Sequence, residues 1–473
     1  MNNKIIGREK EIKILQKCLS SSESQLIIVY GRRRVGKTFL VNNFFDYSFD
    51  FKVSGSYGLS MDAQINNFIS EINLSFRKNY SVPTNWSDAF FILRKELETL
   101  PTDKKSVVFI DEMPWFDTSH SDFLPAFEYF WNNWGAGRDN LVCVVCGSAT
   151  QWIVENISLN KGGLFNRQSC RLYLEPFTLN ETEKYLVNKG FVWSRYDIAE
   201  CYMIMGGIPY YLNFLDNSLT LSQNIDALFF KRRAFLWDEF SHLYSTLFKN
   251  SPIYIKVVEA LSKKRMGMTR EEISKETGLP QNGVLTNVLD NLEYSSFIHI
   301  YQYYGNKKKD RVYQIADYYT LFYFKFLKNN ADLDENFWSN SLDNPSIRAW
   351  KGLSFELLCR DHISEIKKKL GIEGVLTETS VWFKKGTEEE KGAQIDLVLD
   401  RRDRIINLLE MKFSELEFEI DKKTSEDLIN KRECFRSATK TKKALHITLV
   451  TTYGCKGNRN MIQSEVTLDD LFE

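Results

Sequence analysis

Short, wholly apolar runs alternate with stretches of helical spacing along the first third of the chain. "REKEIKILQKCL", from Arg8, puts Ile12, Leu15 and Leu19 on one side of a helix. "QLIIVYG" is an apolar run that ends in glycine, and a helical pattern through Phe39, Leu40 and Val41 follows it. "SVVFIDE" is a second buried strand, "DFLPAFEYFWNNW" a helix, "NLVCVVCGSAT" a third strand and "CRLYLEPF" a fourth. Apolar strands separated by helices predict a parallel sheet covered on both faces.

The pattern then changes. From Pro176 to Asn250 it is helical, interrupted at "GGIPYY". From Pro252 to Tyr319 it predicts three short helices, "IYIKVVEALSK", "TREEISKETGL" and "QNGVLTNVLDNLEYS", then the hairpin "FIHIYQYYGNKKKDRVYQIAD". Asn329 to Asn344 is polar and rich in Asn and Asp, which predicts a linker. From Pro345 a second α/β unit begins. In it "QIDLVLD" and "IINLLEMKF" are two strands joined by the charged turn "RRDR", and "ALHITLVTTYG" is another buried strand. The expected partition is 1–175, 176–250, 251–328, 329–344 and 345–473, a multidomain α/β protein.

Composition narrows this little. A chain of 473 residues, 43% apolar, is too long for one core and too apolar to be disordered. The formal net charge is +0, so any affinity for nucleic acid must come from a local patch. No apolar segment reads as a signal peptide or a membrane span. The eight cysteines are scattered, and Cys143 and Cys146 read as buried thiols of a cytoplasmic protein.

The chemistry gathers at strand ends. "GRRRVGKT" fits G-x-x-x-x-G-K-[ST] and stands between a strand and a helix, where backbone amides cradle phosphate. Gly31, Arg32, Arg33, Arg34, Val35 and Gly36 form that loop, Lys37 reaches the β- and γ-phosphates, Thr38 holds magnesium, and Phe39 follows in the helix. "FIDE" puts Asp111 at a strand tip as a magnesium-side carboxylate and Glu112 beside it to orient the attacking water. Ser148, in "CGSAT", is placed to bond the γ-phosphate or the water.

In the C-terminal hairpin, Glu410 and Lys412 lie two apart on one strand and share a face. Asp396 on the neighbouring strand comes beside Glu410. Two adjacent carboxylates call for a cation, and magnesium there would suit phosphodiester hydrolysis, with Lys412 stabilising developing negative charge. The three helices and hairpin of 251–328 look like a winged helix-turn-helix. Gln281, Asn282 and Asn287 would read base edges, and Lys307, Lys308 and Lys309 at the hairpin tip would meet DNA phosphates. Asp290 and Glu293 on the same helix would repel them.

"IIGREKEI", "GRRRVGKT", "VVFIDEMPW", "CGSAT", "GGLFNR" and "GGIPYY" together resemble the archaeal-type ATPases of the AAA+/STAND superfamily. The resemblance implies a P-loop NTPase sheet with a helical lid, a winged helix and a nuclease-like C-terminal domain. It implies that Ile6, Gly7 and Arg8 lie near adenine, that Gly207 and Pro209 approach the nucleotide from the lid, and that Arg167 neutralises γ-phosphate charge within the chain or from a neighbouring subunit. Such enzymes usually carry Asn where Ser148 stands, which favours slow turnover. The C-terminal segment resembles the PD-(D/E)xK nucleases (the restriction-endonuclease-like fold), with Asp396, Glu410 and Lys412 in the core motif. Glu356, on "KGLSFELLCRDHI", is then the added acid and metal ligand. Gln394 and Lys431 would contact substrate. The expected function is an ATP- and Mg2+-dependent protein whose nucleotide state regulates a DNA nuclease-like domain, with double-stranded DNA and further copies of the chain (a homo-oligomer) as the expected partners and no membrane. The alternatives are a STAND-type signalling scaffold and a winged-helix DNA-binding regulator.

Overall fold

The computed structural model describes residues 5–118, 121–158, 163–164, 167–264, 266–305, 311–328, 334–386 and 392–473. The chain divides into two compact units, Met1–Pro176 and Phe177–Glu473. The boundary falls where the helical segment was expected to begin.

The first unit is built on strands β1 (Gln25–Tyr30), β2 (Phe51–Ser54), β3 (Ser106–Asp111), β4 (Leu141–Gly147) and β5 (Cys170–Tyr173), in the order β2-β3-β4-β1-β5. Every neighbouring pair is parallel. β3 and β4 are buried along their whole length, as apolar runs in a doubly covered sheet must be. One face packs on an aromatic core that includes Phe68, Trp86, Phe90, Phe123 and Phe127. β2 was not anticipated. "FKVS" has only Phe51 and Val53 buried and lies at the sheet edge, so it lacks the continuous apolar run that marks the other strands. Because β3, β4 and β1 are neighbours and parallel, the turns after Tyr30, Asp111 and Gly147 open at one edge of the sheet.

The second unit begins with helices. Leu179–Asn188 and Arg195–Met205 each start from a capping box, Thr178 with Glu181 and Ser194 with Asp197. The helices Ser251–Ser262, Arg270–Thr277 and Gly283–Tyr294 follow. They accompany an antiparallel sheet of β6 (Met268–Thr269), β7 (Ile298–Gln302) and β8 (Arg311–Ile315), in the order β6-β8-β7. Asn282 lies just before its helix, and its side chain caps it by accepting from Val284 N–H at 2.9 Å. Gln281 and Asn287 are exposed. Lys307, Lys308 and Lys309 lie outside the described residues.

The expected linker is different where it is described. Trp338 is fully buried and packs on Phe322, Phe326 and Trp350. Asp226 accepts from the backbone N–H of Trp338 (2.8 Å) and Ser339 (3.1 Å). One large apolar side chain outweighs a polar composition, because burying it excludes far more apolar surface than the flanking residues expose.

The last sheet contains β9 (Thr377–Lys384), β10 (Ala393–Arg401), β11 (Ile405–Lys412), β13 (Ala444–Thr451) and β15 (Ile462–Thr467), in the order β15-β13-β11-β10-β9. β10 runs antiparallel to both of its neighbours, β9 and β11, and β11, β13 and β15 run parallel. A small parallel pair, β12 (Phe418–Ile420) and β14 (Cys455–Gly457), stands apart. Among the described residues no helix is long and apolar enough to cross a membrane.

Candidate functional site

Gly31 follows β1 with φ 140°, and a Cβ there would lie 2.4 Å from the carbonyl oxygen of Leu174. Only glycine lets the loop pass so close to the neighbouring backbone. Arg34 (φ 74°) and Gly36 (φ 91°) turn the chain again, and Gly36 leads directly into the helix Lys37–Phe44. This is the local geometry of a phosphate-binding turn, with successive amides at a helix N-terminus. Lys37 is buried, and its Nζ donates to the carbonyls of Gly31 (3.0 Å) and Arg32 (2.8 Å). Burial pushes the Lys37 ammonium below its usual range, against the attraction of Glu112 and Asp111. Arg32 is buried, Arg33 and Val35 continue the loop, and Phe39 is exposed on the helix.

Thr38 Oγ1 donates to Asp111 Oδ2 at 2.9 Å. Asp111 is buried, which raises its carboxyl above the ordinary value while the Thr38 bond opposes the rise. A hydroxyl and a carboxylate oxygen side by side are hard donors suited to magnesium. Glu112 stands in the left-handed region, φ 45° and ψ 44°, a conformation that non-glycine residues hold only under tertiary constraint. Ser148 supplies that constraint: its N–H (3.1 Å) and its Oγ (2.9 Å) both donate to Glu112 Oε2. Ser148 therefore meets Glu112, rather than standing free to meet a phosphate. Arg8, with φ 64° before the first helix, donates to Val35 O at 3.2 Å, so the Ile6–Gly7–Arg8 segment touches the loop. Arg167 is exposed, and among the described residues no hydrogen bond joins its guanidinium to Lys37, Thr38, Asp111 or Glu112.

Cys146 was read only as a buried thiol. Its neighbour is Asp111: burial, followed by the Asp111 charge, pushes the thiol well up. The strand register, Ile110 beside Val145, carries the contact one residue further, and only strand pairing exposes it.

In the second unit Gly207 has φ 61°, and a Cβ there would lie 2.3 Å from Phe177 O, so a local close approach already demands glycine. Pro209 opens the short helix Pro209–Leu212. At the other end, Asp396 Oδ2 accepts from Met411 N–H at 3.1 Å, where the β10–β9 pairing shifts register between Ile395 and Val398. Burial, then the charge of Glu410, raises the Asp396 carboxyl. Burial also acts on Glu410, but Lys412 on Oε1 (2.8 Å) and Lys431 on Oε2 (2.5 Å) leave it below its usual value. Asp396, Glu410 and Lys412 thus come together as expected, and Lys431 joins them more intimately than a substrate contact would. Glu356 does not complete a triad. Among the described residues no three His, Cys, Asp or Glu side chains stand together in a way that would hold a metal ion. Glu356 lines a cleft with Gln314 and Trp350 instead. Gln394 lies next to Ile395 on β10 and pairs with Phe383 of β9.

Residues 5–215 match the family model of an ATPase domain predominantly from Archaea, so the chain carries an ATPase-family domain. An uncharacterized protein of Methanocaldococcus jannaschii is 24% identical over 439 residues, 90% of this chain and 91% of the relative. An uncharacterized ATP-binding protein of the same organism is 42% identical over 41 residues, 9% of this chain and 70% of its own length. Among solved structures, the Walker-type ATPase of Pyrococcus abyssi is 18% identical, with 68% of this chain and 96% of that chain covered at a TM-score of 0.48.

Proposed function

We propose that the first unit binds ATP with magnesium and hydrolyses it slowly, as a switch. The observation that carries this reading is the set Lys37, Thr38, Asp111 and Glu112 gathered at one edge of a parallel sheet, with Glu112 tied to Ser148. The loop amides and Lys37 hold the phosphates. Thr38 and Asp111 would hold magnesium, which supplies charge neutralisation to the phosphate oxygens. Glu112 orients the attacking water once it leaves Ser148, and Arg167 meets γ-phosphate charge within the chain or from a second copy. Ile6, Gly7 and Arg8, whose segment touches the loop through Arg8 and Val35, complete the nucleotide contacts within this unit. Lys37→Ala is expected to abolish ATP binding at this loop. Glu112→Gln is expected to keep binding and slow hydrolysis by about a hundredfold or more. Wild-type turnover by Glu112→Gln rejects the role given to Glu112.

The pairing of Asp396 with Glu410 in a buried site supports a second element of the proposal. Nucleotide state in the first unit regulates a nuclease-like C-terminal domain, where these two acids take a divalent cation and Lys412 faces the scissile phosphate. The segment 251–328 would then act as a winged helix on double-stranded DNA. Incubation with Mg2+ or Mn2+ and plasmid, single-stranded DNA or RNA tests this. Cleavage that Asp396→Ala abolishes supports it. The absence of cleavage in every nucleotide state leaves a STAND-type scaffold, whose mass would change between ADP and a slowly hydrolysed ATP analogue.

A further inference from the structure

The second unit contains a cleft of about 430 Å³ that none of the roles above uses. Its walls come from the helix Ser251–Ser262, strand β8, the segment Leu321–Lys328 and the helix Pro345–Asp361. Four lysines line it: Lys263, Lys264, Lys325 and Lys328. Three of them reach carboxylates, Lys263 to Glu276, Lys264 to Glu272 and Lys328 to Glu259. Lys325 is exposed and has no carboxylate partner among the described residues. The lysines are the solvent-facing part of the lining, since the side chains of Lys263 and Lys264 are 57% and 42% exposed. The inner part is buried and mixed. Trp350 and Leu357 supply apolar surface, while Ser354 and Glu356 supply polar atoms among them.

We propose that this cleft is a second anion site, separate from the Lys37 loop, and that it takes a single nucleoside phosphate. The volume lies in the range of small-ligand sites and far below what a duplex needs. The cationic rim suits phosphate, for which lysine serves as a point charge. The rim ion pairs are solvent-exposed and therefore weak, so their ammonium groups turn to a phosphate at little cost. Bare phosphate would leave the inner wall uncovered. A base covers it, with ring faces against Trp350 and Phe324 and N–H groups toward Glu356 and Gln314. Gln314 has a further partner: its Oε1 accepts from Arg360 Nη1 at 2.6 Å, and Arg360 Nη2 donates to Asp396 O at 3.0 Å. The cleft is thus one side chain away from the strand that carries Asp396.

Calorimetric titration of the full-length protein with ADP, AMP and inorganic pyrophosphate tests the assignment. Wild type is expected to take two ADP molecules. Lys37→Ala is expected to leave one, and Lys325→Glu with Lys328→Glu to weaken that remaining one by about tenfold or more. Leu353→Trp, which fills the cleft without changing charge, is expected to act as the lysine pair does. Loss of all ADP binding in Lys37→Ala overturns the second site and leaves the first intact. Two sites that survive both the lysine and the Leu353 variants also overturn it. A single ADP site that only the lysine and Leu353 variants remove supports the cleft and rejects the loop. Pyrophosphate bound as tightly as ADP in the Lys37→Ala protein rejects the base contacts and with them the nucleoside assignment.

Discussion

Lys351 and Glu200 form a buried ion pair, Nζ to Oε2 at 2.8 Å, with side chains only 8% and 6% exposed. It joins the helix Arg195–Met205 to the helix Pro345–Asp361. Lys351 also lies over the Tyr196 ring at 5.9 Å, and Tyr196 stacks on Phe413, the residue after Lys412, at 4.7 Å. Lys351→Met removes the ammonium and leaves a desolvated carboxylate, which costs about 3–5 kcal/mol. Burial already raises the Glu200 carboxyl, and Lys351 holds it down, so the substitution raises it further. A carboxyl whose folded value lies above its unfolded value binds more protons in the folded state. Stability then falls as pH rises through the window from the unfolded value, about 4.5, to the raised folded one. The Lys351→Met deficit should therefore be largest at pH 8 and shrink as pH is lowered into that window. Lys351→Met combined with Glu200→Leu should recover most of the loss, because an apolar pair in such a site is often neutral. Hydrogen exchange read on peptides covering 195–205 and 345–361 measures this, and the single variant is expected to lose about two powers of ten or more in protection. A deficit below about 1 kcal/mol, or one that grows as pH falls, refutes the argument.

Other substitutions probe other parts of the chain. Gly31→Ala places a methyl 2.4 Å from a backbone oxygen, so nucleotide affinity and the melting temperature of the first unit should both fall, and wild-type values for both would contradict the loop geometry. Trp338→Ala empties a fully buried site and should destabilise the second unit by about 3–5 kcal/mol in denaturant unfolding. A loss under about 1 kcal/mol would restore the linker reading of that segment. Lys431→Ala uncovers Glu410 Oε2, so Mn2+ should bind more tightly by calorimetry. Unchanged affinity would show that the ammonium and the metal do not compete.

The N-terminal site was legible because its parts are local. A loop between a strand and a helix, and an Asp–Glu pair at the end of an apolar run, declare themselves within a few residues of Lys37 and Asp111. The grip of Ser148 on Glu112 was not legible, since those residues are 36 apart and meet only through strand neighbours. The same holds for Lys431, whose helix gives no sign that it faces Glu410, 21 residues earlier. Glu356 shows the limit of local pattern. A helix of the right kind precedes the hairpin, but the direction of one side chain on that helix depends on how it packs, and Glu356 is among the residues that line a separate cleft. Trp338 went astray because composition averages over a segment, whereas burial is won by individual side chains.

Residue order alone settled the alternation of apolar strands and helices, the phosphate-loop motif, the acids at strand tips and the pairing of the C-terminal hairpin. These follow from periodicity and short-range sterics, which act over a few residues. Strand order, the edge strand at Phe51–Ser54, the partners of Glu112 and Glu410, and the fate of Glu356 and Trp338 came from packing. Those contacts join positions far apart in the chain, where burial and charge compensation are decided by neighbours that no local pattern identifies.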